Sequence, residues 1–125
     1  MATVSTTVNV RCNGIIDYPP YNSTTITDTL SGEGGGQPGV VSVGTSEETL
    51  SFGDITPGRN ILQNLDSTNY VEYGPATGSY IGRLLPGATA GTAGSPHTIN
   101  VTSGATIYIK ANTSACNVLV IAYDA

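Results

Sequence analysis

The sequence predicts an all-β chain: an antiparallel two-sheet β-sandwich of about ten short strands, jelly-roll-like, in a single domain over residues 1–125. Three observations carry this. Apolar residues alternate with period two along most of the chain, and no window of a dozen residues sets them at helical spacing among good helix formers. Gly or Pro breaks the pattern every 8–12 residues, the rhythm of a sandwich. Thr and Ser fill many outward positions, where a β-branched or small hydroxyl side chain suits a pleated surface without a charge.

TTVNVRC (6–12) and TTITDTL (24–30) are the first two strands, separated by DYPPYN (17–22), where the prolines fix a rigid connection. SGEGGGQPG (31–39) reads as a flexible surface loop before VVSVG (40–44) and ETLSFG (48–53). NILQNL (60–65) and NYVEYG (69–74) flank a polar turn and are expected to pair as a hairpin that nucleates the domain. In that turn Asn64, Asp66 and Asn69 are residues that cap nearby backbone and tolerate left-handed angles. Gly74-Pro75 ends the second strand, SYIGRLL (79–85) follows, and Pro86-Gly87 turns the chain into a run of small residues. HTINV (97–101) leads to ATIYIKA (105–111), whose Ile107 and Ile109 share one face and Tyr108 and Lys110 the wet one. NVLVIAY (117–123) is apolar on both faces, so it is expected to be central and covered on both sides by the second sheet or a neighbouring subunit.

Composition excludes several classes. Four Lys plus Arg stand against nine Asp plus Glu, a net charge of −5, which is the wrong sign for gripping a phosphate backbone. The longest apolar run, 118–123, is far short of the ~20 residues that span a bilayer, and the N-terminal ten residues lack a secretory pattern, so synthesis in a cytoplasm is expected. Charged residues make up 10% of the chain against ~25% in an average domain, so few gatekeepers block strand edges from pairing with other chains. A protein completed by an assembly is the expectation.

No enzyme motif stands. GGGQPG (34–39) matches a dinucleotide-binding glycine pattern by letter but is followed by Val40-Val41 strand sequence instead of a helix. His97, the single histidine, has no nucleophile-elbow serine to serve and reads as a partly exposed strand-end residue. The carboxylates are scattered, Glu47 and Glu48 form a solvated turn, and no calcium loop or zinc spacing occurs, so no cofactor or metal is expected. Cys12 and Cys116 read as buried thiols rather than a disulfide. The N-x-S/T triplets at Asn22, Asn100 and Asn112 follow from the abundance of Thr and Ser. Tyrosine is the more informative residue: Tyr18, Tyr21, Tyr70 and Tyr80 are candidate contact rings, since Tyr combines large area with few rotors. For Tyr18 and Tyr21 a lid packed over one end of the sandwich is an equal reading.

Residues 55–87 and 107–124 resemble small tailed-bacteriophage virion proteins. Asn64, Leu65, Asp66, Thr68, Asn69, Tyr70, Val71 and Gly74 match an N-L-D-x-T-N-Y-V-x-x-G element; Leu84, Pro86 and Gly87 match L-x-P-G; Lys110, Ala111 and Thr113 match K-A-x-T. Ala88 stands where those sequences place an acid. The resemblance implies a structural virion component: a head decoration or cement protein on the capsid surface, partnered by the major capsid protein and by copies of itself, with a trimer fitting three-fold lattice positions. It leaves a second class open, a tail-fibre or tail-tip module that binds host glycans through its tyrosines.

Overall fold

Burial alternates residue by residue over 59–64, 108–111 and 116–123 of the computed structural model, which describes residues 3–10, 21–29, 35–52, 58–101 and 105–123. The strands are β1 (Thr3–Val10), β2 (Tyr21–Thr29), β3 (Gly35–Val43), β4 (Glu48–Thr49), β5 (Arg59–Asn64), β6 (Val71–Gly74), β7 (Gly82–Leu84), β8 (His97–Asn100), β9 (Tyr108–Ala111) and β10 (Cys116–Tyr123). Every pairing is antiparallel, and among the described residues there is no helix.

Two four-stranded sheets form a sandwich-like arrangement. Sheet I runs β3-β10-β5-β8 and sheet II runs β4-β9-β6-β7; β1 and β2 make a separate two-stranded sheet. Their inner faces build one core: Val43, Leu62, Val118, Val120 and Ala122 from sheet I, with Val71, Tyr73, Leu84, Ile109 and Ala111 from sheet II. Leu50, Phe52 and Ile107 close its ends. As expected from its alternation, ATIYIKA buries Ile107 and Ile109 and leaves Tyr108 and Lys110 half-buried. NVLVIAY is central, between β3 and β5, but only its inner face is fully covered; Leu119, Ile121 and Tyr123 on the other face are half-buried.

Two expectations are corrected. Residues 60–65 and 69–74 do not pair as a hairpin: β5 lies in sheet I and β6 in sheet II, so the NLDSTN corner is an arch that carries the chain from one sheet to the other. Within the two large sheets only β6 and β7 are neighbours both in sequence and in space, and every other pairing joins distant segments. Such non-local pairing is slow to form, since loop closure precedes its reward. The segment 31–39 is not a loop throughout, because residues 35–39 belong to β3, paired with β10 as Val120↔Gly39, Ile121↔Pro38 and Ala122↔Gln37. Pro38 fits because β3 is an edge strand, where a missing N–H costs no ladder bond, and Gly39 supplies a backbone at φ 91°. Residues 31–34, like Cys12, Tyr18 and Asp17, lie outside the described residues.

One core position is costly. Asn60 on β5 is 0% exposed, and neither its Nδ2 nor its Oδ1 has a hydrogen-bond partner. A buried amide without partners costs more than the same volume of apolar atoms. Asn60→Leu, which keeps the branching shape, is therefore expected to raise unfolding stability by about 1–2 kcal/mol. Thermal denaturation of the variant checks this, with an unchanged or lower midpoint as the contrary result.

Candidate functional site: the outer face of sheet II

The corner that fixes sheet II is built from side chains. Asn64 is fully buried; its Nδ2 donates to the carbonyl oxygens of Asn69 (2.7 Å) and Leu84 (3.2 Å), and its Oδ1 accepts from the Asp66 N–H (2.9 Å). Asp66 accepts from the Ser67 N–H (2.8 Å) and from both the N–H and Nδ2 of Asn69 (2.9 Å each). Led by the Asn69 N–H, these donors hold the Asp66 carboxyl below the usual range. Two distant segments, 84–87 and 110–113, arrive at the same corner: the Gly87 N–H donates to the Asp66 carbonyl at 3.0 Å, and Thr113 Oγ1 donates to Asn69 Oδ1. Gly87 has no room for a side chain, since a Cβ there would meet the Thr92 carbonyl oxygen at 1.9 Å. Cys116, a free buried thiol, sits 3.5 Å from Asp66 Oδ2; burial first, then that carboxylate, pushes it up to about 11. Asn64, Asp66, Asn69 and Gly87 thus act as scaffold.

From this corner β6 sends alternate residues outward. Glu72 lies between Arg83 of β7 and Lys110 of β9 in the strand register. Arg83 Nη2 donates to Glu72 Oε1 at 2.9 Å, and its guanidinium carbon lies 4.0 Å from the Tyr70 ring centroid. Lys110 Nζ stands 5.1 Å over the Tyr80 ring. Tyr80 in turn donates its hydroxyl to Glu47 Oε2, which also accepts the Gly78 N–H at 2.8 Å. Tyr70, Arg83 and Glu72 thus form one group of rings and charges and Lys110, Tyr80 and Glu47 another, set side by side by the Glu72–Lys110 register, and Tyr108 occupies the same face two residues from Lys110.

The electrostatics follow from these contacts. The Tyr80 hydroxyl, then the Gly78 N–H, hold the Glu47 carboxyl below its ordinary value, and Glu47 correspondingly pushes the Tyr80 phenol up to about 12. Glu47 is thus an acceptor that ties the β6–β7 loop to the β3–β4 loop, and the solvated turn expected from sequence is corrected: Glu48 is exposed, Glu47 is half-buried. Both Asp66 and Glu47 have folded values below their ordinary ones. Their contribution is complete above the unfolded carboxyl range and is lost as pH falls through the lowered folded values. Wild-type thermal midpoints are expected to drop between about pH 5 and about pH 3, and Asp66→Asn is expected to flatten that slope. An equal slope in the variant would refute the assignment.

Of the four tyrosines expected to make contacts, Tyr70 and Tyr80 lie on this face; Tyr18 lies outside the described residues, and only the backbone of Tyr21, in β2, is described. Gly74 and Pro86 mark turns, Gly74 beneath the 75–80 loop. His97 opens β8 half-buried, its Nδ1 3.1 Å from the hydroxyl of Tyr73, whose ring crosses from sheet II edge-on at 74°. Sequence reading placed Glu72 on one strand face with Tyr70, and Lys110 with Tyr108, by period-two spacing, but missed Arg83 and Glu47 as members of the face, since both reach it from other elements. Fold and face together define an all-β, two-sheet module whose sheet II carries on its outer face two tyrosine–cation contacts and the Arg83–Glu72 ion pair. Compared with protein-family models, with curated proteins and with solved structures, the chain finds no match.

Proposed function

We propose that this chain is a structural component of a tailed-phage particle, a jelly-roll-like decoration or cement protein. It works by contact instead of catalysis, holding the major capsid protein and copies of itself, a trimer foremost. One observation carries the reading: the three elements of the virion-protein resemblance, far apart in sequence, meet at one hydrogen-bonded corner around Asp66 and Asn69. The corner orients sheet II, and the outer face of that sheet is the contact surface toward the shell. Its rings and paired charges suit a protein interface, where Tyr and Arg are favoured.

Glycan binding in a tail fibre is the weaker reading, because a cation already covers one face of both the Tyr70 and Tyr80 rings, the faces a sugar would stack on. Quantitative mass spectrometry of purified particles tests the proposal. Copies in the hundreds per particle are expected; absence from the particle, or a handful of copies, overturns it.

A further inference from the structure

Each large sheet ends in two edge strands, β3 and β8 in sheet I, β4 and β7 in sheet II. An edge offers a row of unpaired N–H and C=O groups to any extended chain, and natural sheets guard against this with Pro, charge, irregularity or shortness. Three of the four edges are guarded. β3 carries Pro38 and the left-handed Gly39, β4 has two residues beginning at Glu48, and β7 has three with Arg83 at its centre. Among the described residues β8 has no such guard. His97-Thr98-Ile99-Asn100 contains no Lys, Arg, acid or Pro, and its register with β5 is continuous. The Val101 N–H bonds the Gly58 carbonyl, so by alternation the backbone groups of Ile99 also face β5 while those of Thr98 and Asn100 point away from it.

Beside this open edge lies an apolar groove of about 470 Å³, lined by Ile81, Ile99, Val101, Ile107, Tyr73 and Pro75 among others. Ile81 at its rim is 80% exposed. An extended strand laid along β8 would gain main-chain hydrogen bonds from the edge and apolar burial from the groove, the two components of strand addition.

The chain also holds a strand suited to that place. β1 pairs with β2, from Thr3↔Thr29 to Val10↔Tyr21, and belongs to neither large sheet. A two-stranded sheet by itself is marginal in water. TVSTTVNV has no charged residue and carries Val at positions 4, 8 and 10, a sequence suited to an extended strand against apolar surface.

The geometry points to β8 as the acceptor edge for strand β1 of a second copy of this chain. Thr3–Val10 of that copy extends sheet I beyond β8 and covers the groove at Ile81, Ile99 and Ile107. This deepens, and rests on, the reading that the protein associates with itself. It supplies the contact by which copies join and leaves the outer face of sheet II for the shell.

The test uses the full chain, with a photoreactive benzoyl-phenylalanine in place of Ile81 and a mixture of isotopically light and heavy copies. Cross-links between position 81 of one copy and residues 3–10 of the other isotope are expected, together with concentration-dependent association in sedimentation. Thr98→Pro removes an N–H that β5 does not use, and Ile81→Glu places a charge at the groove; each is expected to weaken association at least about tenfold while the thermal midpoint moves by only a few degrees. Should Thr98→Pro fail to fold, Ile81→Glu decides alone, because its site is exposed. A chain that stays monomeric at millimolar concentration, cross-links to other segments or within one copy, or association unchanged in Ile81→Glu, overturns the inference. Self-association of this kind in a chain absent from particles would sink the virion reading alone, whereas a particle-bound chain lacking the cross-link would sink this inference alone.

Discussion

Asn64→Ala is expected to destabilise the protein by about 3 kcal/mol and to lower its thermal midpoint by about 10 °C. The side chain is fully buried and makes three hydrogen bonds, to the carbonyls of Asn69 and Leu84 and from the Asp66 N–H. Truncation removes all three partners at once. Each carbonyl or N–H left unsatisfied away from water costs about 1–3 kcal/mol, partly relieved where the corner opens to solvent. Asn64→Asp tests the donor separately: it keeps the acceptor for Asp66 but presents a carboxylate to two carbonyl oxygens, so it is expected to be no better than Ala. A midpoint within a few degrees of wild type in both variants would show that the arch stands without this residue.

Gly74→Ala is expected to cost about 3 kcal/mol and to dismantle one end of the outer face of sheet II. A Cβ at this position would lie 1.8 Å from the Ser79 carbonyl oxygen and 2.8 Å from the Tyr80 Cα, both backbone atoms that cannot rotate aside. The 75–80 loop must lift, and with it Tyr80 leaves Glu47 and Lys110. Because Glu47 is the first cause of the raised Tyr80 phenol, that group should then titrate near the ordinary value of ~10 instead of about 12, which phenolate absorbance reads directly. Gly78→Ala is the control: φ there is +71° but nothing lies within 4 Å of the added methyl, so only the backbone cost of about 1 kcal/mol is expected. Equal effects of the two substitutions would argue against the steric account.

The strands were legible because alternation is a local property. Ile107 and Ile109 against Tyr108 and Lys110 reveal both the strand and its core face in seven residues, and the burial agrees. What lay beyond sequence reading is which strand joins which. The NLDSTN turn has residues equally suited to a hairpin and to an arch, and the choice is made by Asn64 reaching the Leu84 carbonyl 20 residues away. Likewise Gly34 to Gly39 reads as loop on propensity, yet the backbone of residues 35–39 is held by the apolar, strongly β-forming β10 alongside it. On the face itself, Tyr70 and Tyr80 were visible as residues of a type, but their cation partners depend on strand register. Glu72 is set beside both Arg83 and Lys110 only because β6 pairs with β7 on one side and β9 on the other.

That register also explains why a chain with so few charges concentrates them. Two of its four Lys plus Arg residues lie on the outer face of sheet II, each over a tyrosine ring and within one strand of Glu72. Pairing them in advance fixes their side chains, so a partner docking here pays less ordering entropy. β8 on the other sheet contains no Lys, Arg or acid.

An electron cryomicroscopy reconstruction of the particle tests the central claim most directly. The account predicts this chain on the outside of the shell in many copies, with Tyr70, Arg83, Lys110 and Tyr80 of sheet II buried against the major capsid protein. A shell without the chain, or one in which that face looks out to solvent while another surface makes the contact, would contradict it.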